Sequence, residues 1–380
     1  MQCCEVIHPK ARVCPHCHSP QQPRKLHAAA TFLKWVGGVT AVISLVIGMD
    51  RLNDLYSSWR ERAATIEELV AAARLQEEAR DYAGGWSLLQ QALALDPSAP
   101  AVRAYQGPFV MSWLRDLRVT EGQTFAEAVE PMLPVLYRGA ASPDKALAAD
   151  MLAHIGWANY LKRRGGDAAV KIDEPFERAL ALDPDNVYAH IHWAFWLLHN
   201  ANQQDYGEAN IDKARRHIEA ALASGRERDY VLDLTFYGLD GSSHKGASEE
   251  MLRMAHRLSQ TKELLHPTLM RSVHSMYEPI ARGLAPRGQA QLSDLLEVLP
   301  PEKLLATFNW ALSGMESARP PAPADLPGNR YIIGRLHEAA GNRARALAIY
   351  RELLDHPGVH ESYRVNVIVP SIAQLVNDGG

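Results

Sequence analysis

The chain has 380 residues, a prior for two or three domains, and a net charge of −4 at neutral pH. The charge is unevenly spread: residues 1–49 hold five Lys/Arg against one acid, and the remainder holds 35 basic against 43 acidic side chains. An acidic main body is poorly suited to gripping phosphate backbones. With all four cysteines among the first 17 residues, that body also has no disulfide scaffold.

The first 20 residues read MQCCEVIHPKARVCPHCHSP. Cys14-Pro15-His16-Cys17 is a C-x-x-C knuckle, whose spacing lets two thiolates reach one Zn²⁺ from a tight turn. Here the sequence resembles the short zinc-ribbon family at the N-termini of many bacterial membrane proteins, with Cys4, Ile7, Ala11, Cys14, Pro15 and Cys17 on the family's pattern. The resemblance implies a knuckle over residues 1–20 with a structural zinc, for which the cysteines Cys3, Cys4, Cys14 and Cys17 are the candidate ligands. The family's first cysteine falls on Met1, so the fourth ligand stays open among Cys3, His8, His16 and His18. An upstream start that has clipped a C-x-x-C, or a degenerate metal-free knuckle, are the competing readings. A polar, Pro-containing linker follows over residues 21–27, with Arg24-Lys25 suited to an anionic leaflet.

Residues 28–49, AAATFLKWVGGVTAVISLVIGM, contain a single charge, Lys34. As a helix the stretch reaches roughly 30 Å, the thickness of a bilayer core. It has no polar face at helical spacing, and Gly37, Gly38 and Gly48 would weaken a helix in water. Lys34 lies beside Trp35 near one end, where its stem can carry the charge to the headgroups. No small-residue cleavage motif precedes Asp50-Arg51, so a retained single-pass inner-membrane helix is expected rather than a cleaved signal peptide. Lys10, Arg12, Arg24 and Lys25 outnumber Arg51, Arg60 and Arg62 across the span. The positive-inside rule then puts the N-terminus in the cytoplasm and the main body in the periplasm or another extracytoplasmic space.

Residues 50–318 read as helical. Ile66, Leu69, Val70 and Ala73 recur at i, i+3, i+4 and i+7, after Thr65 as an expected N-cap with Glu67-Glu68 in the first turn. Arg80-Asp81-Tyr82 reads as a turn, and a second helix is expected from about Gly85 to Leu95. It closes in Ala-Leu-Ala-Leu-Asp-Pro, residues 92–97, and the same six residues return at 179–184. That echo, each time ending a helix before a new one, marks an internal repeat. Both echoes resemble the tetratricopeptide family, through Tyr82, Leu89, Ala92 and Pro97 in one and Phe176, Ala179 and Pro184 in the other. Ala189, Trp193 and Ala194, then Ala214, Ile218 and Ala221, continue it, with an insertion expected around Asn200–Gly207. The echoes lie 87 residues apart, not a multiple of the family's repeat, so an interruption is expected at Thr120–Asp144 with Pro131, Pro134 and Pro143. From Tyr237 to Ala318 irregular hairpins are expected, with Gly238–Gly246 as a loop.

Residues 319–328 (RPPAPADLPG) read as a stiff, extended spacer. In residues 329–380, Gly334, Gly341, Ala346 and Tyr350 match the tetratricopeptide pattern, with Gly341-Asn342 ending the first helix. A last helix, Tyr363 to Val376, is expected to cap the array.

The fold class implied is all-α: a tetratricopeptide-like solenoid of helical hairpins after a zinc-ribbon knuckle and one transmembrane helix. No H-E-x-x-H, G-x-S-x-G or phosphate-loop motif occurs, and the 16 histidines make chance proximity expected. His190 and His192 fall on different faces of one helix, and Trp193 and Trp196 suit hairpin packing. The function expected is a non-catalytic, membrane-anchored scaffold receiving a protein partner in the groove that the first helices of a tetratricopeptide array line. Carried over from the family, the groove residues are Arg74 and Glu77, then Tyr188 and Phe195, then Arg335 and Glu338. Two other readings stand beside it. One is a sensor or regulator whose ribbon binds nucleic acid or a cytoplasmic protein. The other is an all-helical enzyme with a site assembled from distant residues.

Overall fold

The computed structural model describes residues 59–200, 207–263, 265–282, 285–316 and 325–377. The predicted knuckle, linker and membrane helix lie outside the described residues, and with them Cys3, Cys4, Cys14 and Cys17. Among the described residues there is no strand, and no helix is long and apolar enough to cross a membrane. The chain forms two compact units that meet in sequence between Val102 and Arg103.

In the first unit, α1 (Trp59–Glu78) and α2 (Tyr82–Leu95) pack as a hairpin. Its core is Ile66, Leu69, Val70 and Ala73 from α1 with Leu89 and Ala92 from α2, the apolar set that the spacing picks out. The expected cap at Thr65 is corrected: α1 begins at Trp59, so Thr65 and Glu67-Glu68 are interior to it. The start of α2 also moves, from Gly85 to Tyr82, because the Asp81 carboxylate accepts the Gly84 N–H at 2.9 Å and caps the helix there. Helix α3 (Pro100–Arg115) begins in this unit and continues into the second.

The second unit opens with the Pro-bearing segment. It forms α4 (Phe125–Val129), a 3₁₀ turn at Glu130–Met132 and α5 (Leu133–Ala140), short because Pro131 and Pro134 interrupt the helical ladder. A reciprocal capping box between Thr124 and Glu127 starts α4. Three hairpins follow: α6 (Lys145–Arg164) with α7 (Asp173–Leu182), α8 (Val187–Asn200) with α9 (Gly207–Ala223), and α10 (Arg228–Asp240) with α11 (Lys245–Thr261). The first helices also stack side by side, α8 between α6 and α10. Helices α6 and α8 are buried around their circumference, as apolar faces on every side require. The loop expected at Gly238–Gly246 is corrected to residues 241–244, since Gly238 closes on α8, where any Cβ would come 2.8 Å from Leu198.

Beyond these lie α12 (Pro267–Ser275), α13 (Glu278–Ala281), α14 (Ala285–Val298) and α15 (Pro301–Glu316), of which α12 pairs with α15 rather than with its neighbour in sequence. Helix α16 (Pro327–Ala339) takes in the end of the expected spacer, Pro327 serving in the first turn where its missing N–H costs nothing. It packs against α17 (Arg343–Leu354) across a turn with Gly341 at φ +75°, the left-handed residue that ends such a helix. The closing segment is α18 (Glu361–Tyr363), a π-helical turn at Arg364–Ile368 and α19 (Val369–Asn377). Its Val367, Ile368 and Leu375 cover Tyr331, Ala346, Tyr350 and Leu353 of the last hairpin.

One contact recurs. In the α6/α7 hairpin Gly156 lies against Phe176, so a Cβ would fall 2.5 Å from the ring. In the α16/α17 hairpin Gly334 lies against Tyr350 in the same way, at 2.4 Å. A glycine on the first helix meeting an aromatic ring on the second is a helical-repeat packing, and both rings are fully buried.

Candidate functional site

The six residues expected to line a groove fall in three places. Arg74 and Glu77 lie on α1 in the first unit, Arg74 exposed and Glu77 half-buried, and neither is without a partner. Tyr188 and Phe195 lie on α8, and Arg335 and Glu338 on α16.

Tyr188 is only 8% exposed, and its hydroxyl rather than its ring makes the polar contacts. It donates to Glu227 Oε1 at 2.9 Å and accepts from Arg115 Nη1 at 3.1 Å. The Arg115 guanidinium lies 5.3 Å from the Tyr188 ring centre and 5.5 Å from that of Tyr230, a cation held between two aromatic faces. The Trp157 indole N–H donates to the Leu114 carbonyl at 3.2 Å, so the end of α3 lies on α6 and α8. Burial, opposed by the Arg115 charge, pushes the Tyr188 hydroxyl up to about 12. Phe195 packs edge-on against Trp157 and Tyr160, with part of its ring still open to solvent.

Below this level His154, Trp157, His192 and Tyr230 form a dense polar-aromatic cluster. His192 stacks on Trp157 at 4.8 Å, stands edge-on to His154 at 5.2 Å, and has its Nε2 2.7 Å from the Tyr230 hydroxyl. His154 Nδ1–H donates to the Asp150 carbonyl at 2.7 Å, leaving Nε2 buried without a partner. Burial drives His154 down to about 3 and His192 well below its ordinary value. Both imidazoles are fully buried and act as neutral packing groups, with the Asp150 carbonyl fixing the tautomer of His154. A second pair, His190 and His217, joins Nδ1 to Nδ1 at 2.8 Å. His190 Nε2 donates to the Pro184 carbonyl at 2.9 Å, so its Nδ1 accepts from His217. Burial and the neighbouring His190 lower His217 to about 4. Among the described residues no three or more His, Cys, Asp or Glu side chains gather as a metal site.

On the second helices, Glu250 is 3% exposed and receives Arg215 Nε at 2.9 Å and Arg257 at 3.3 Å, with Arg253 at 3.8 Å. These arginines and Glu208, Asp212, Glu219 and Glu249 line a charged cleft of about 630 Å³. Its cations already serve the buried carboxylate, so it is a structural ion network.

Arg335 and Glu338 instead border a cavity of about 400 Å³. One wall is Gly288 and Gln289 of α14, the other Asn366, Pro370 and Gln374 of the closing segment, and Ile280 and Val367 line it as well. Arg335 Nη2 donates to Gln289 Oε1 at 2.6 Å, and the Tyr350 hydroxyl donates to Glu338 Oε2 at 2.9 Å. The two charged heads approach to 3.4 Å through Arg335 Nε, yet that buried N–H makes no hydrogen bond. Both side chains line the cavity and are 17% and 18% exposed. Sequence reasoning missed Gln289, Asn366 and Gln374, which come from other helices, and Arg115, Glu227 and Tyr230 around Tyr188. No local spacing connects any of these to the residues they meet.

The described residues thus define an all-helical protein of stacked hairpins with repeat-like packing and one polar cavity on its last hairpin. No family model, no curated protein and no solved structure matches the chain.

Proposed function

We propose that the chain is a membrane-anchored scaffold of tetratricopeptide type, without catalytic activity, that holds a protein partner against its first helices. The observation that carries this reading is the polar cavity beside α16, which Arg335 and Glu338 of a first helix border. The glycine–aromatic contact in two hairpins and the side-by-side first helices support the repeat type. Residues 28–49 supply the anchor in this proposal, residues 1–20 a zinc-holding cytoplasmic module, and the tether raises the partner's local concentration at the bilayer. Tyr188, with its hydroxyl taken by Arg115 and Glu227, leaves Phe195 as the more open member of the middle pair.

A photo-cross-linking residue in place of Gln374, at the cavity lip, tests this in cells carrying the full chain. The expected result is one discrete protein adduct, lost on Arg335→Glu and not formed from the same probe at exposed Arg351 on α17. Equal, diffuse labelling from both positions overturns the proposal.

A further inference from the structure

The cavity beside α16 is small. A cavity of about 400 Å³ lies at the low end of small-molecule pockets, a size that a residue-sized ligand fits. Its charge is balanced, one guanidinium against one carboxylate, with neutral amides at Gln289, Asn366 and Gln374. A phosphate or any single-signed ligand would meet a like charge within 3.4 Å of its counter-charge. A ligand with both signs on neighbouring atoms meets both partners at once.

The two heads are also held in place by their neighbours more than by each other. Gln289 holds Arg335 through Nη2 and the Tyr350 hydroxyl holds Glu338 through Oε2, while the pair itself meets at 3.4 Å through Arg335 Nε. Beside the charged pair, the aliphatic residues of the lining are Ile280 and Val367, both largely buried. The π-helical turn at Arg364–Ile368, a departure that recurs at binding sites, brings Asn366 to the lip.

We propose that this cavity binds a free aliphatic α-amino acid, with its carboxylate on Arg335, its ammonium on Glu338 and its side chain toward Ile280 and Val367. The inference rests on reading Arg335 and Glu338 as ligand-facing, and it names what the site between them takes.

Calorimetric titration of the purified full chain with L-leucine is the test. Saturable binding is expected, weakened about tenfold or more for N-acetyl-L-leucine and for L-leucinamide, each of which lacks one charge. Arg335→Lys should weaken it to a similar degree, since a single ammonium cannot keep the Gln289 contact and meet the ligand at once. The paired lip variant Asn366→Ala, Gln374→Ala should weaken it severalfold without changing the melting temperature, because both side chains are exposed. No heat from L-leucine or L-valine at millimolar concentration overturns the inference. So does N-acetyl-L-leucine binding as tightly as leucine, which would mark a site for a peptide C-terminus. Either of those results alongside an intact cross-linked adduct leaves the scaffold reading standing and removes only the amino-acid site.

Discussion

His154 gives up a proton that an exposed histidine would hold over much of the acid range. Its folded value near 3 lies below the unfolded 6.5, so the native state binds fewer protons between those limits. The associated stability is complete above pH 6.5 and is lost as pH falls toward 3. At pH 5 the loss from this group is about 2 kcal/mol, at 1.36 kcal/mol per unit. Urea unfolding at pH 7.5 and pH 5 should show the decline, and His154→Phe should flatten it by up to one proton. Gly334 sets a steric test. Alanine there gains about 1 kcal/mol of helix propensity, but its Cβ would stand 2.4 Å from the Tyr350 ring. That ring is fully buried and tied to Glu338, so it cannot retreat, and overpacking wins: Gly334→Ala should lose about 1–2 kcal/mol in the same assay. At this scale the sequence was legible where chemistry is local. The pattern marks Gly334, Tyr350, Phe176 and Ala179, and each takes part in the packing described. His154 was not legible, because its burial is imposed by α3 and α8 arriving from elsewhere.

Helix ends carry the next level of information. Lys262 closes α11 at φ +57°, a left-handed residue whose Cβ crowds its own backbone. Glycine relieves that crowding at some cost in unfolded-state entropy, and Lys262→Gly should raise stability by about 0.5–1 kcal/mol, read as a rise in melting temperature. The hairpins themselves were readable wherever a turn signal sits at the junction, as at Arg80-Asp81 and Gly341-Asn342. They were misjudged where the signal is a lone glycine. Gly238 reads as a loop residue, yet it lies in α10 because only a hydrogen atom fits against Leu198. Thr65 reads as a cap because the apolar period starts after it, while the helix itself begins six residues earlier. The pairing of α12 with α15 has no sequence signal at all, since it depends on how far α13 and α14 fold back.

For the whole molecule, the described helices account for the hairpins and leave the anchor to a direct test. Removing residues 1–49 should release the remaining chain from the membrane fraction into the aqueous phase, followed by fractionation and blotting. Retention of the shortened protein with the membranes would overturn the assignment of residues 28–49 as the tether. The six residues proposed for a groove fall on three first helices, Arg74 and Glu77 in the first unit and the others in the second, and the interrupted repeats give no sequence spacing that relates them. Gly165–Ile172 separates α6 from α7, whereas three residues separate α16 from α17.

The glycine that faces a ring in two hairpins has a bearing on how such a chain can have grown. Each half of the pair is harmful without the other, since a larger residue opposite the ring collides and a smaller one opposite the glycine leaves a void. A duplication that copies both helices together transmits a working unit. Because both hairpins put the glycine on the first helix and the ring on the second, a crossover in the turn that joins the first helix of one to the second helix of the other also keeps a glycine opposite a ring.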